Sequence, residues 1–489
     1  MIFAIFAALA LTMDTGGDFR LRAEHRWPRP VGITGNLWQG DAVSFYQRLR
    51  TSFGPWSCVL LTEKDPGEEW GDLIAGGIGS TGAKSLTAAA GALRVQMAHG
   101  LVLTHPGEWS GSDALSLSKT PGFRMRFSPS ESPGGCDADP LTGAAAEYRL
   151  SSFSFSAVLG WSNIDTGSSG LHRTESEIQN RRAVEEKLAA VRAGYGNWGL
   201  SFARVNRTHQ SLSESFSRIG ADFLYSNEES VLTGEIASDL DSTFNFLISA
   251  GRGSSQFNHA LTMSRYTGSG VRSAGGLGSS HLLGAGYGIR WRSQRGVTLD
   301  AGVLLLDRET DDSFSTGFQL TERAMNRTDL TQKLKYSVSG DAQTLSGQLS
   351  AVWSPNSGLT LSLKLPFTVY RCSGSPAESG TGVEVRLKHV PFDMLEVTVA
   401  AAASGTDGWN SRIYAYSLSF PGEFGSQALY NSSVLLQGAF SVHISENATV
   451  RMKASWYRMN GAESLGSGSD ETPGSSRTSA GLQVDWSFQ

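Results

Sequence analysis

Hydrophobic and polar residues alternate along most of this sequence, in runs of about 8–12 residues. The clearest runs are Phe153–Trp161, Leu359–Phe367, Val450–Trp456 and Leu482–Phe488. A period of two predicts β-strands rather than helices, and clusters of Gly, Ser, Pro or Asn end the runs, as at Ser354–Gly358. We therefore predict an all-β chain with roughly 22–26 strand-forming segments.

A soluble β-sandwich also alternates polar and apolar residues, so strand length and aromatic placement decide between the two architectures. The runs are about twice as long as a typical globular strand and match the roughly 9–11 residues that a tilted membrane strand needs. Tryptophans recur near the segment ends, as at Trp161, Trp198, Trp291, Trp353 and Trp486. Such positions are typical of the aromatic girdles of membrane barrels.

These patterns predict one large transmembrane antiparallel β-barrel over residues 18–489. We expect an even number of strands, both termini in the periplasm, and a location in the outer membrane of a Gram-negative bacterium. The hydrophobic content of 39% fits, because one face of each strand meets lipid and the other meets a polar lumen. No run of about 18–20 apolar residues predicts a transmembrane helix, and no fixed repeat suggests a propeller or solenoid.

The net charge and the cysteine spacing exclude other classes of protein, and the N-terminal segment has two interpretations. A formal charge of −5 argues against a basic nucleic-acid-binding surface. Residues 1–17 form a signal-like segment that lacks a basic n-region, or else an apolar strand left by a truncated or misplaced reading frame. Cys58, Cys136 and Cys372 form no close pair, which excludes a zinc ribbon and a thioredoxin-type redox site.

Six short motifs occur in a fixed order along the first half of the chain. They are Glu63–Glu68, Leu93–Leu103, Thr142–Ala146, Ser169–Glu177, Gly220–Tyr225 and Thr233–Ala237. In this order they resemble the outer-membrane barrel region of the helix-hairpin-helix-containing proteins of Bacteroidetes and Chlorobi. The resemblance extends from about Asp18 to Ala250, and His-Arg-Thr-Glu-Ser-Glu (172–177) is its most specific part.

This resemblance implies a fold and a cellular location more than a biochemical function, because the family has no established biochemical activity. Family members carry helix-hairpin-helix repeats before the barrel, and we expect none here, so no direct nucleic-acid binding is predicted. The usual Gly-Gln-Gly before the Leu-Val-Leu run is Ala98-His99-Gly100 in this chain. We therefore expect a different local turn at that point.

Both charge signs crowd into one short stretch that follows the Ser169–Gly170 pair. Its members are His172, Arg173, Glu175, Glu177, Arg181 and Arg182. They form either a luminal or loop network that binds a polar solute or latches a plug, or a solvated loop with internal salt bridges. The spacing of Val184, Leu188 and Val191 also permits a short helix between Ile178 and Val191.

A second charged cluster, Glu63, Lys64, Asp65 and Glu68, follows an apolar strand and is interpreted as a turn at the barrel rim. Its carboxylates could also bind a cation such as calcium, but no EF-hand-like loop is present. We predict no metal site and no cofactor. The glycines at 284, 286 and 288 alternate with larger residues as one face of a strand, which excludes a dinucleotide loop.

Three functions are open at this point. The first is a channel or transporter for a polar solute or polymer, in which inward Arg, Lys and Glu side chains set selectivity. The second is a plugged structural or assembly anchor for a periplasmic DNA-uptake or secretion partner. An outer-membrane hydrolase built on His99 with His105, or His259 with His281, is a distant third, and we predict no enzyme activity.

Long loops are expected where Gly, Ser and Asp accumulate. The candidates are Thr104–Pro121, Ser128–Pro140, Asn163–Lys187, Asp307–Arg327 and Asn460–Arg477. The expected partners are outer-membrane lipid and a periplasmic protein.

Overall fold

The computed structural model of the chain describes most of the sequence from Gly16 onward. The described residues are 16–80, 85–103, 122–127, 141–165, 171–209, 212–240, 243–266, 281–294, 296–307, 312–325, 327–423 and 425–488. Within these ranges, no helix is long and apolar enough to cross a membrane. The predicted signal-like segment and the loops expected at 104–121 and 128–140 lie outside the described residues.

Almost all of the regular structure is β-strand. The strands are β1 (Gly16–Trp27), β2 (Val43–Phe53), β3 (Trp56–Lys64), β4 (Leu73–Ser80), β5 (Leu86–Met97), β6 (Phe123–Phe127), β7 (Leu141–Leu150), β8 (Phe153–Ile164), β9 (Val184–Tyr195), β10 (Trp198–His209), β11 (Leu212–Ser226), β12 (Ser230–Asp239), β13 (Phe244–Gly253), β14 (Phe257–Tyr266), β15 (His281–Arg292), β16 (Thr298–Asp307), β17 (Ser313–Met325), β18 (Thr328–Ser339), β19 (Ala342–Asn356), β20 (Leu359–Cys372), β21 (Glu378–Phe392), β22 (Leu395–Thr406), β23 (Ile413–Tyr416), β24 (Ser426–Leu429), β25 (Ser432–Ser445), β26 (Ala448–Met459), β27 (Ser464–Leu465), β28 (Thr472–Pro473) and β29 (Ser476–Phe488). Two short helices, α1 (Val31–Thr34) and α2 (Glu175–Asn180), and a 3-10 turn at Gly468–Asp470 lie in loops.

The main sheet closes on itself. β1 pairs antiparallel with β2 and also with β29, from Gly17 opposite Phe488 to Trp27 opposite Thr478. The sheet contains 25 strands, and β6 pairs only with the last part of β5, so 24 strands complete the circuit. The hairpins β23–β24 and β27–β28 are separate from this wall. The predicted barrel with an even number of strands is therefore confirmed.

The outer face of the barrel is apolar and uncovered by protein. On β20, Leu361, Leu363 and Leu365 are 36–43% exposed, while the intervening Ser362 and Lys364 face inward. The five tryptophans at predicted strand ends are also exposed on the outside. A closed sheet leaves no unpaired edge in lipid, so this band can span a membrane. The chain is an outer-membrane β-barrel.

The two ends of the barrel differ in loop length. Turns at the end that holds both termini are short, such as residues 151–152 and 196–197, whereas the opposite end carries the connections 28–42, 65–72 and 407–431. Short turns face the periplasm in outer-membrane barrels, so the long connections lie at the extracellular mouth.

Two local expectations need correction. The loop expected at Asp307–Arg327 contains β17, whose inward face carries Ser315, Gln319 and Thr321 and alternates with Phe314 and Phe318. The short helix that the spacing permits between Ile178 and Val191 is limited to residues 178–180 at the end of α2, and β9 begins at Val184. In β9 every second residue is buried in the lumen, so the strand period overrides the helical spacing. The loop predicted at Asn460–Arg477 lies between β26 and β29, as expected, although Ser476 and Arg477 already belong to β29.

A row of glycines brings the backbones of neighbouring strands close together between β4 and β8. Gly77, Gly91, Gly143 and Gly160 lie opposite one another on these neighbouring strands. A Cβ atom added to Gly143 would lie 2.1 Å from the Leu159 carbonyl oxygen. No residue larger than glycine fits there, which is the usual reason for glycine at a tight barrel corner.

The lipid-facing assignment predicts a depth-dependent cost for charge. Leu349 lies near the middle of β19 and is 51% exposed on the outer face. We expect Leu349→Arg to destabilise the barrel by about 2–4 kcal/mol, because a cation at the bilayer midplane loses its hydration. Denaturant unfolding in lipid vesicles measures this change.

The matched control is Thr331→Arg, because Thr331 faces the lumen between Thr321 and Ser350. An equal loss of stability for both variants would contradict the assignment of faces.

Candidate functional site

The lumen has two halves of different chemistry. Between β5 and β13 the inward residues are mostly small or aliphatic, and between β16 and β3 they are mostly polar or charged. The buried aliphatic group on the first wall consists of Ala89, Leu93, Val95, Leu141, Ala145, Val158, Leu188, Ala190, Ala203, Val205, Ala237 and Leu247. Each half is occupied by a different inward-folded segment of the chain.

The aliphatic half is filled by residues 98–103, which we name the plug loop. β5 ends at Met97, and the positive φ angles of Ala98 and Gly100 turn the chain back, so that the Met97 N–H donates to the Leu103 carbonyl. Leu101, Val102 and Leu103 are at most 2% exposed. Ala98-His99-Gly100, where the similar family usually has Gly-Gln-Gly, thus lies in a turn that directs the chain into the lumen.

Small wall residues create the space for the plug loop. A Cβ atom on Gly220 would lie only 2.4 Å from the Val102 side chain, and Ala203 and Ala237 of the surrounding wall are fully buried. Burial of an aliphatic side chain of this size contributes about 1.5–3 kcal/mol. The plug loop is therefore held by ordinary hydrophobic packing, as in a globular core.

Glu235 of β12 fixes the backbone of the plug loop. One carboxylate oxygen accepts hydrogen bonds from the N–H groups of His99 (2.8 Å) and Leu101 (3.0 Å), and the other accepts from Val102 (3.0 Å). Arg218 donates to the Leu101 carbonyl at 2.8 Å. The loop's buried polar groups thus have charged partners, and the loop lies against the middle of β11 and β12.

The hydrolase hypothesis gains no support from the described histidines. The His99 ring bonds the Thr233 hydroxyl at 2.7 Å, and burial lowers the pKa of His99 to about 4. His259 faces outward beside Phe257 and Tyr287. His105 and the side chain of His281 lie outside the described residues.

The polar half contains a second inward-folded segment, residues 413–429, which includes β23 and β24 and which we name the luminal segment. The Pro421 carbonyl accepts from Arg20 (2.8 Å) and Arg22 (3.1 Å) of β1. Glu423 forms ion pairs with Arg22 at 3.1 Å and with Lys453 at 2.8 Å. The luminal segment is therefore attached to β1 and β26 by charges, while its Ala415 and Leu429 pack with wall residues such as Leu435 in a buried apolar cluster.

Basic side chains outnumber acidic ones on the inward face of strands β16 to β3. The basic residues are Arg20, Arg22, Arg26, Arg48, Arg50, Arg323, Lys333, Lys335, Lys364, Arg386, Lys388, Arg451, Lys453 and Arg477. The acidic residues are Asp18, Glu24, Glu63, Asp300, Asp329, Glu378, Glu384, Glu396 and Asp485. The polar half therefore has a positive excess, although the whole chain carries −5.

At the extracellular mouth, the two charged clusters singled out in the sequence meet. Glu68 accepts a hydrogen bond from the His172 N–H at 2.9 Å. The His172 ring lies between two carboxylates, with Nδ1 2.8 Å from Asp72 and Nε2 2.7 Å from Asp165. Arg181 forms an ion pair with Asp72 at 3.0 Å. We name this group the mouth cluster.

The other residues of the 172–182 stretch fasten neighbouring loops. Arg173 pairs with Asp470 at 2.8 Å and lies 4.5 Å above the Trp38 ring. Glu177 completes the capping box of α2 with Thr174, while Glu175 is exposed. The Arg182 N–H donates to Asp165 at 2.7 Å.

The predicted rim turn separates into two environments. Glu63 faces the lumen beside the Tyr46 position of β2. The Lys64 ammonium bonds Asp41 at 2.8 Å and the Glu68 carbonyl at 2.9 Å, and the Asp65 N–H donates to Glu68 at 2.8 Å. Glu68 is consequently the residue that joins the rim turn to the mouth cluster.

Glu68, Asp72 and His172 offer ligand atoms within 4.8 Å of one another, which is a spacing that a metal ion could use. The Arg181 guanidinium already supplies positive charge to Asp72, and Glu68 is occupied by two backbone N–H groups. The mouth cluster is therefore satisfied by its own residues, and we interpret it as a structural network.

Sequence reasoning missed the residues that hold the two inward segments, chiefly Glu235, Arg218, Arg22, Lys453 and Glu423. The alternation of polar and apolar residues places all of these except Glu423 on inward strand faces. This inward position is the signal that the sequence offers for them. Their partners are loop atoms far away in sequence, such as Leu101 for Arg218 at a separation of 117 residues. A single sequence contains no pattern that pairs them.

Comparison with known proteins finds similarity in structure alone. No family model and no curated protein matches the sequence. The FrpB iron transporter of Neisseria meningitidis matches at 10% identity over 98% of this chain and 83% of that chain, with a TM-score of 0.46. The P pilus usher PapC translocation pore matches at 9% identity over 97% and 99%, with a TM-score of 0.45.

A smaller barrel also matches part of the chain. The anion-selective porin of Comamonas acidovorans shows 11% identity over 62% of this chain and 100% of that chain, with a TM-score of 0.36. Because these identities and TM-scores are low, the substrates of these proteins are not assigned to this chain.

The carboxylate of Glu235 predicts a specific local effect. We expect Glu235→Gln to accelerate hydrogen exchange of the His99, Leu101 and Val102 amides by roughly 10–100-fold, because each loses a charged acceptor worth about 1.5–3 kcal/mol. Mass-spectrometric exchange on the detergent-solubilised barrel measures this change. Glu214→Gln, at an exposed position of β11, is the control. Unchanged exchange at these amides would refute the role of Glu235.

The mouth cluster predicts a shifted histidine titration. Burial lowers the pKa of His172, but the hydrogen bonds and charges of Asp72 and Asp165 outweigh it and raise the pKa above the ordinary 6.5. The stabilisation is therefore fully present below pH 6.5 and is lost as pH rises through the raised pKa. In ring NMR we expect Asp165→Asn to lower the midpoint by roughly 1–3 pH units.

An unchanged His172 midpoint in the variant would mean that Asp165 does not hold the proton on His172.

Proposed function

We propose that this protein is a channel for polar solutes across the outer membrane, with its pathway in the polar half of the lumen. The observation that carries the proposal is the contrast between the two inward segments. The plug loop closes the aliphatic half with fully buried leucines, whereas the luminal segment leaves space beside charged and polar walls.

Three cavities border the luminal segment. One of about 280 Å³ is lined by residues that include Arg22, Glu63 and Lys453. A second, of about 720 Å³, lies against Tyr414 and Tyr416, and a third, of about 510 Å³, lies beside Phe420. Their walls combine charged and hydrogen-bonding groups with apolar ones, such as Lys333 beside Phe318 in the second cavity, so water and a hydrated solute find polar partners there.

The luminal segment is placed to set the width of this pathway. Its Pro421 carbonyl contacts Arg20 and Arg22 in the middle of β1, so part of the segment lies at mid-depth in the lumen. The Arg22–Glu423 ion pair is buried, with side chains 4% and 9% exposed, so loss of either partner would leave an uncompensated buried charge. A narrowing element of this kind admits solutes by size and charge.

The second candidate is a plugged anchor for a periplasmic partner. The tightly packed plug loop favours it for one half of the lumen only. A barrel that is sealed in both halves would conduct no ions.

We expect the purified protein to give stable ionic conductance in planar lipid bilayers. Replacing residues 412–427 by a short Gly-Ser linker should raise the single-channel conductance several-fold, because it removes the segment that narrows the polar half. The matched control replaces residues 98–103 in the same way, and a smaller effect is expected because the surrounding wall is aliphatic and poorly hydrated.

Absence of conductance in both the wild type and the 412–427 replacement would overturn the channel proposal. It would favour the anchor, for which recovery of a periplasmic protein with the barrel is the corresponding test.

A further inference from the structure

The largest of the three cavities brings together basic side chains that lack acidic partners. It has a volume of about 720 Å³ and lies between strands β16–β20 and the β23–β24 hairpin. Lys333 and Lys335 of β18 face it, next to the amides of Gln319 and Gln348 on the neighbouring strands. No carboxylate of a described residue forms an ion pair with either lysine.

The other luminal lysines differ in this respect. Lys364 pairs with Glu384 at 2.9 Å, and Lys388 pairs with Glu396 at 2.8 Å. Their charge is largely neutralised by their partners. Asp300 also lines the cavity, but it pairs with Arg290 at 2.5 Å. The uncompensated charges of Lys333 and Lys335 therefore set the local potential of the cavity, and low-dielectric walls strengthen such a field.

A third cation enters from the luminal segment side. Arg412 also lines the cavity, and its guanidinium lies 4.4 Å from the Trp409 ring. It donates to the Tyr414 hydroxyl at 2.6 Å and to the Trp409 carbonyl at 2.8 Å. These are neutral acceptors, so Arg412 also retains its full charge for a ligand.

Aromatic rings complete the cavity. Tyr414 and Tyr416 are 53% and 47% exposed, although both lie inside the barrel. Tyr416 also lies beneath the Lys364 ammonium, 4.6 Å from its ring centroid. An exposed ring offers a flat apolar surface to a ligand ring, while the glutamine amides offer donors and acceptors to hydroxyl groups.

We propose that this cavity is a binding site for a ring-containing anionic solute, namely a carboxylated or phosphorylated sugar. Lys333, Lys335 and Arg412 bind the anionic group, and Tyr414 packs against the sugar ring. The inference rests on the proposed channel function, in that the site lies on the pathway and would make the channel favour such solutes.

Blocking of the ion current by trigalacturonate tests the proposal, with binding measured separately by isothermal titration calorimetry. We expect trigalacturonate to block at much lower concentration than maltotriose, a neutral trisaccharide of similar size, or inorganic phosphate, an anion without a ring. Lys333→Gln combined with Lys335→Gln should weaken trigalacturonate binding by roughly tenfold or more, because two charge-assisted contacts are lost.

Two further variants separate charge from shape. Tyr414→Leu should weaken trigalacturonate binding and leave the weak phosphate effect unchanged. Lys187→Gln is the charge control, since Lys187 lies on the outer face of β9, 65% exposed and paired with Glu185. Heat-shifted migration on gels verifies that every variant is a folded barrel.

Equal block by maltotriose and trigalacturonate, or unchanged binding in the double lysine variant, would overturn the sugar-anion site while the channel proposal stands. Absence of conductance with intact, lysine-dependent trigalacturonate binding would overturn the channel and support the site. Binding by phosphate as strong as by trigalacturonate would reduce the site to a general anion attraction and overturn the role of the aromatic ring.

Discussion

Closure of the sheet is the constraint on which the rest of this structure depends. Lipid cannot hydrogen-bond the backbone, so β1 must meet β29 and leave no edge. A circuit of 24 strands then encloses more space than the wall side chains can fill. What the connecting segments place in that space decides whether the barrel conducts, and the wall chemistry decides which segment fits where.

The two halves of the lumen solve this problem with different interactions. Around the plug loop, the wall provides alanines and glycines, so leucine and valine side chains can pack as in a soluble core, and Glu235 and Arg218 satisfy the loop backbone. Around the luminal segment, arginines and lysines add ion pairs to an apolar cluster that includes Ala415 and Leu429. The neighbouring wall is polar and charged, and cavities remain beside this segment.

This division gives the barrel unequal local stability. Release of the plug loop would expose several aliphatic side chains and leave the Glu235 carboxylate without its backbone donors, so it is costly at every pH at which this carboxylate is ionised. Release of the luminal segment breaks the pairs of Glu423 with Arg22 and Lys453, of which Lys453 keeps Glu24 as a second acidic partner. A response to solute or salt is therefore expected in the polar half.

The alternating pattern predicted the barrel, its even strand number and the inward position of most charged residues. The predictions failed in two kinds of segment. One does not alternate polar and apolar residues, and the other alternates but lies beside a turn with polar residues on the strands at both ends. Leu101–Leu103 continues an apolar run after β5, and although a different turn was expected at Ala98-His99-Gly100, its direction into the lumen was not. The positive φ angles of Ala98 and Gly100 set that direction. The polar β17 was mistaken for a loop for the opposite reason, since a luminal face needs no hydrophobic residues.

Net charge is a second example of a property that the sequence alone does not assign to the lumen. The chain as a whole is acidic, with a charge of −5, and this value suggests nothing about the sign of the field that a solute meets inside. Register assigns each side chain to one face, and on the inward face of β16 to β3 the arginines and lysines predominate. At physiological ionic strength the Debye length is about 8 Å, comparable to the width of a cavity of this size. The unpaired Lys333 and Lys335 therefore act on a solute within the cavity, whereas acidic groups outside the lumen are screened from it.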